Sequence, residues 1–107
     1  MSEPHAHRLP LSVVVPAFNE QGNVGRLVDE VAEALRGRTA FEMVFVDDAS
    51  KDGTLEELKQ AQQRHPELRV LSHAQQSGQS TAVRNGIKAA RGEWIATLDG
   101  DGQNDPA

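Results

Sequence analysis

Apolar residues along the chain follow two alternating rhythms, short continuous runs and longer stretches with helical spacing. Leu11-Ser12-Val13-Val14-Val15-Pro16 is a β-branched run too short for a helix and closed by proline, which predicts a buried strand over residues 11–16. After a polar loop, Val24, Leu27, Val28, Val31, Ala32 and Leu35 share one helical face, with Asn23 as the expected N-cap and Gly37 as the stop. Residues 41–46 form a second apolar run that ends in the acid pair Asp47-Asp48. Turn residues Ala49-Ser50-Lys51-Asp52-Gly53 lead into a helix carrying Leu55, Leu58 and Ala61. Its start is expected from a Thr54/Glu57 capping box or from Asp52, and its end near His65-Pro66. Residues 68–72 read as a third strand. Residues 79–90 read as a third helix with Ala82, Val83, Ile87 and Ala90 inward and Gly92 as its stop. Trp94-Ile95-Ala96-Thr97-Leu98 is the fourth strand and runs directly into Asp99-Gly100-Asp101-Gly102-Gln103.

Near-continuous apolar strands alternating with amphipathic helices predict an α/β fold with a parallel sheet covered on both faces. Right-handed crossovers place the loops after strands one, two and four on one edge. In a doubly wound sheet of order 3-2-1-4 the chain reverses between strands one and four, and ligands bind in the crevice outside that point. Glu20, Asp99 and Asp101 would flank the crevice, with Asp48 on the neighbouring strand. One domain is expected over residues 11–107, after a flexible tail over residues 1–10.

Composition narrows the partners. With 37% hydrophobic and 25% charged residues the chain is an ordinary globular one, and no run approaches the roughly 18 apolar residues of a membrane span. A net charge of -5 repels a nucleic-acid backbone, so no nucleic-acid partner is expected. A phosphate-bearing partner must then approach through a metal or a local basic group. The absence of cysteine excludes disulfides and thiolate catalysis and fits a reducing cytoplasm. Residues 1–9 hold Arg8 but no apolar core, so no secretory signal is expected there, and His5 and His7 read as tail residues.

Asp99, Asp101 and Gln103 offer oxygen donors only, which suits Mg2+ or Mn2+ and not zinc or copper. Too few to fill an octahedron, they leave positions for water and for the oxygens of a diphosphate. A calcium loop of the helix-loop-helix type would need glycine where Asn104 stands, and should follow a helix. Asp47 and Asp48 point to opposite faces of their strand. One is expected to brace the loop, and the other to accept a hydrogen bond from a ligand, such as the ring N–H of uracil or guanine. Glu20 alone would also serve as a first-turn carboxylate at a helix N-terminus. Neither a dinucleotide-binding glycine fingerprint nor a P-loop is present. Gly78-Gln79-Ser80-Thr81 heads the third helix and is a candidate anion site through its N–H groups. A receiver-like phosphoacceptor domain and a non-catalytic nucleotide-binding module are the alternative readings.

Four motifs in order carry a resemblance. They are Val15-Pro16-Ala17-Phe18-Asn19-Glu20; Val46-Asp47-Asp48-Ala49-Ser50 with Asp52-Gly53-Thr54; Gly78 with Ala82-Val83-Arg84-Asn85-Gly86-Ile87; and Asp99-Gly100-Asp101-Gly102-Gln103. Together they resemble the family 2 glycosyltransferases, and within them the polyprenyl-phosphate branch typified by dolichol-phosphate mannose synthase. The resemblance implies the amino-terminal, nucleotide-binding half of a GT-A fold. It implies a nucleoside pocket lined by Pro16, Phe18 and Glu20, with Val46 and Asp48 at the base and ribose and Asp47 structural. Asp99, Gly100 and Asp101 would meet the diphosphate, and Asp99, Asp101 and Gln103 would hold the metal. The implied reaction is transfer of a hexose, with inversion, from GDP-mannose or a UDP-sugar to an acceptor such as a polyprenyl phosphate. The acceptor site and any general base would lie beyond Ala107, and membrane association would come only through segments outside these residues. The expected location is the cytoplasm, at the cytoplasmic face of a membrane for the whole protein.

Overall fold

All seven expected elements form in the expected order: β1 (Leu9–Ala17), α1 (Val24–Leu35), β2 (Phe41–Asp47), α2 (Thr54–Arg64), β3 (Leu68–Ser72), α3 (Gln79–Ala89) and β4 (Gly92–Thr97). The computed structural model describes residues 9–98, so the expectations for Asp99, Gly100, Asp101 and Gln103 lie outside the described residues. The strands make one parallel sheet of order β3-β2-β1-β4, as the strand-helix alternation predicts.

Strand alternation divides the core in two. Val13, Val15 and Ala17 of β1 and Phe41, Met43 and Phe45 of β2 face α1 and α2, where Val24, Val28, Ala32, Leu58 and Ala61 cover them. Val14, Val44 and Val46 face the other way, against Ala82 of α3. The helices thus cover both faces of the two central strands. Pro16 sits inside β1 without harm because its nitrogen faces the β4 side, past the last β1–β4 pair, Val14 with Thr97.

Helix α3 keeps Ala82 and Ala90 of its expected face against the core and departs from it at Ile87. Ala82 and Gly86 are the buried positions, whereas Ile87, expected inward, is 40% exposed. A Cβ at Gly86 would lie 2.5 Å from Val14 Cγ1 and 3.1 Å from Val46 Cγ2, so the bare glycine lets the helix lie directly on the sheet and turns Ile87 outward. Gly92 does not stop α3, which ends at Ala89; it opens β4, where a Cβ would meet the Ser12 nitrogen at 2.5 Å. Strand β4 also breaks the expectation of burial on both faces: Trp94 is 74% exposed, and no described element covers it.

At the amino end of the sheet a buried carboxylate joins all four strands. Glu42 on β2 accepts from Ser12 Oγ (2.6 Å), Arg69 Nη1 (3.0 Å) and the Arg91 N–H (2.6 Å), while Ser12 Oγ accepts from the Gly92 N–H (2.8 Å). Burial pushes its pKa up, but these donors outweigh that and hold it below the usual carboxylate value. The opposite, carboxyl end of the sheet is left for the loops.

Candidate functional site

Two loops meet at the carboxyl ends of β1 and β2, and side chains of each satisfy backbone groups of the other. The Asn19 N–H donates to Ser50 Oγ (2.8 Å), the Glu20 N–H to Thr54 Oγ1 (2.7 Å) and the Gln21 N–H to Asp52 Oδ2 (3.2 Å). In return the Lys51 N–H donates to Asn19 Oδ1 and the Gly53 N–H to Gln21 Oε1, both at 2.8 Å. Asn19 and Ala49 take positive φ, 54° and 65°, a turn that asparagine tolerates and that strains alanine.

The expected helix caps are replaced by these cross-loop bonds. Asn23 occupies the N-cap position of α1, but its side chain accepts from Arg26 Nη2 instead of capping. Glu57, reaching over from α2, takes the N–H groups of Gly22 (2.7 Å) and Gly25 (2.8 Å), so no Thr54/Glu57 box forms. Gly53 takes the N-cap position of α2, and Asp52, expected there, satisfies the leading Thr54 N–H (2.9 Å) from one residue earlier.

The brace between the loops shapes a cavity of about 260 Å3 lined by Pro16, Ala17, Phe18, Glu20, Asp48, Gln76 and Gln79. Four expected site residues, Pro16, Phe18, Glu20 and Asp48, therefore share one concave surface at the crevice. Val46 does not join them: its side chain is fully buried against Val14, Val44 and Ala82. Gln76 was not anticipated. It lies on the loop after β3, which the parallel topology brings to the same edge, and the polar run after that strand was the available signal.

Asp47 and Asp48 part as alternation requires. Asp47 turns toward the α1 and α2 side, where Oδ2 accepts the Ser50 N–H at 3.4 Å and Oδ1 has no hydrogen-bond partner among the described residues. Asp48, only 3% exposed, turns toward α3 and accepts from His73 Nδ1 (2.7 Å), the Ser77 N–H (2.9 Å) and the Gly78 N–H (2.8 Å). Burial pushes the Asp48 pKa up, and these hydrogen bonds outweigh it, so the carboxyl stays below its usual range and ionised at neutral pH. The head of α3, a candidate anion site in the sequence, thus already faces an anion of the chain itself.

The expected metal ligands follow Leu98, whose N–H donates to the Val14 carbonyl (3.0 Å) and so extends the β4 pairing toward the crevice edge. Their all-oxygen donor set fits a hard divalent cation. Among the described residues no group of three or more His, Asp or Glu could hold an ion. No described helix is long and apolar enough to cross a membrane.

Comparison with known proteins agrees with this geometry. Residues 12–107 match the family model for glycosyl transferase family 2. The dodecaprenyl-phosphate galacturonate synthase of Rhizobium johnstonii is 45% identical over 100 residues, covering 92% of this chain and 30% of that protein. A dolichol-phosphate mannosyltransferase of Pyrococcus furiosus is 34% identical over 98 residues, covering 92% of this chain and 27% of that protein. Among solved structures, a mannosyltransferase from Pyrobaculum calidifontis in complex with GDP-Man and Mn2+ superposes with a TM-score of 0.79 at 29% identity, covering 89% of this chain and 28% of that one. The chain spans 30% or less of the length of these two curated relatives. On its sequence match, its sheet order and its crevice, the chain belongs to glycosyl transferase family 2.

Proposed function

We propose that this chain is the nucleotide-sugar-binding part of a metal-dependent, inverting glycosyltransferase. In this reading a hexose passes from a nucleoside-diphosphate sugar to a polyprenyl phosphate. The observation that carries the reading is the cavity at the carboxyl ends of β1 and β2, where Pro16 and Phe18 offer apolar walls and Glu20 and Asp48 offer carboxylates. Asp48 accepts the base N–H, Phe18 and Pro16 pack on the nucleoside, and the Asn19-to-Gln21 loop is held in one conformation beside them by Ser50, Asp52 and Thr54. Asp99, Asp101 and Gln103 hold a divalent cation, Mg2+ or Mn2+, which when bound supplies charge neutralisation at the departing diphosphate. The names of the relatives support a polyprenyl-phosphate acceptor. Its phosphate oxygen is already anionic and needs no strong base, so positioning supplies much of the rate. Such an acceptor puts the whole protein at the cytoplasmic face of a membrane.

Calorimetric titration of the chain with UDP and with GDP, each with and without Mn2+, tests the reading. Binding of one of them that requires Mn2+ and is lost in Asp101→Ala is the expected result. Binding that ignores both the metal and Asp101, or no binding at all, would overturn it.

A further inference from the structure

Asp48 meets the cavity already engaged by three donors. Its Oδ1 accepts from His73 Nδ1 (2.7 Å) and from the Ser77 N–H (2.9 Å), and its Oδ2 accepts from the Gly78 N–H (2.8 Å). A carboxylate has about four lone-pair positions, two on each oxygen. Among the described residues Oδ1 is therefore full, and Oδ2 has one position left.

The bond between His73 and Asp48 has one direction, because an ionised carboxylate only accepts, so Nδ1 is its donor. Asn85 Nδ2, on α3, stands 3.0 Å from Nε2, and an amide nitrogen only donates. Asn85 thus engages the far nitrogen of the ring, while Nδ1 is directed at Asp48. The His73 side chain is 15% exposed and engaged at both ring nitrogens, by Asp48 at Nδ1 and by Asn85 at Nε2.

We propose that His73, locked by Asn85, leaves Asp48 a single acceptor position, so that the site takes a nucleoside diphosphate whose base carries one ring N–H between two carbonyls, uracil or thymine, in preference to guanine. The inference rests on the nucleotide-binding reading above. Cytosine and adenine present a lone pair where the N–H is needed, and the carboxylate repels them. Uracil and thymine present one N–H, which the open position on Oδ2 accepts. Guanine presents two adjacent donors, the ring N–H and the exocyclic amino group, which a carboxylate satisfies best with both oxygens. With Oδ1 occupied, one of these donors loses its acceptor on Asp48. His73 acts through Asp48 and is a positioning residue.

Titration with UDP, dTDP and GDP in the presence of Mn2+, on the wild-type chain and on His73→Asn and His73→Leu, tests the proposal. Asparagine keeps a donor where Nδ1 stood, and leucine removes it. The wild type is expected to bind UDP or dTDP at least about tenfold tighter than GDP, the scale set by one buried donor left unpaired. The UDP-to-dTDP ratio then separates the two imide bases. The preference over GDP should persist in His73→Asn and shrink several-fold in His73→Leu. GDP binding as tightly as the better bound of the two pyrimidine nucleotides to the wild type would overturn the inference and leave the nucleotide-binding reading intact. Failure to bind any of the three would overturn both. If His73 only supports the fold, His73→Leu lowers every affinity together with the ratio unchanged, and that result also overturns the proposal.

Discussion

Thr54→Val removes one oxygen and tests whether the cross-loop brace holds the site. Thr54 is fully buried at the start of α2, where Oγ1 accepts the Glu20 N–H at 2.7 Å and donates to Asp52 Oδ1. Valine keeps the volume and the β-branched shape, so packing and helix propensity change little. What changes is that the Glu20 N–H, partly buried, loses its acceptor, and Asp52 loses a donor. A buried group left unsatisfied costs about 1–3 kcal/mol, so a loss near 2 kcal/mol is expected. For a domain of this size that lowers Tm by roughly 8 °C or more. The same step frees the loop that carries Phe18 and Glu20, so nucleotide affinity should fall by about tenfold, the equivalent of roughly 1.4 kcal/mol. Thr54→Ser keeps the hydroxyl and should restore most of the affinity while still losing about 1 kcal/mol of stability with its methyl group. Urea unfolding followed by circular dichroism, together with calorimetric titration, measures both effects. A Thr54→Val chain within about 0.5 kcal/mol of wild type and with unchanged affinity would refute the idea that Thr54 holds Glu20 in place.

Other consequences can be measured separately. Gly86→Ala places a methyl group against Val14 and Val46 and should destabilise the chain by about 1–3 kcal/mol in urea unfolding; a neutral outcome would mean that α3 is not seated on the sheet at that point. Glu42, Asp48, Asp52 and Glu67 all have carboxyl pKa values held below the usual range, because hydrogen bonds outweigh the upward push of burial. A folded pKa below the unfolded one contributes stability that is complete above the unfolded value and is lost as pH falls through the folded value. These groups therefore predict no change in stability from neutral pH to about pH 5 and a steep fall below about pH 4; a loss confined to pH 5–7 would contradict their role. Trp94, Ile95 and Leu98 expose apolar surface along β4, which pairs only with β1 among the described strands. Sedimentation of the 107-residue chain should therefore detect concentration-dependent association that Trp94→Lys weakens, and a monomer at every concentration would count against an adhesive β4 edge.

Much of the fold was legible because its signals are periodic. Continuous Val and Phe runs in β1 and β2 marked strands buried on both faces, and the spacing of Val24, Val28, Val31 and Ala32 marked the buried side of α1. On α3 the position of Ile87 differs from the expectation because periodicity weights large apolar side chains. Ala82 and Ala90 do face the core as expected, but the helix also seats on Gly86, and this carries Ile87 outward. Caps were misjudged for a different reason. Asn23 and Thr54 are good local cap residues, but Glu57 is brought to the start of α1 by tertiary packing, over separations of 35 and 32 residues that no local pattern encodes, whereas Asp52 meets the Thr54 N–H from two residues away. The same holds for the site. Pro16, Phe18, Glu20 and Asp48 could be placed at the crevice from strand ends and motif, whereas the bond of His73 to Asp48 spans 25 residues and follows from the β2–β3 register. The side chain of Val46 is committed to the core, so any contact of this residue with a base would run through its backbone.

The central claim is that nucleotide binds where the β1 and β2 loops meet α3. Backbone amide shifts of the 15N-labelled chain, followed as UDP is added with Mn2+, test it most directly. The account predicts shifts concentrated at Ala17, Phe18, Glu20, Asp48, Ser77 and Gly78. Shifts concentrated instead in the larger groove between α1 and α2, at Arg26, Asp29, Glu56, Gln60 and Arg64, would contradict it.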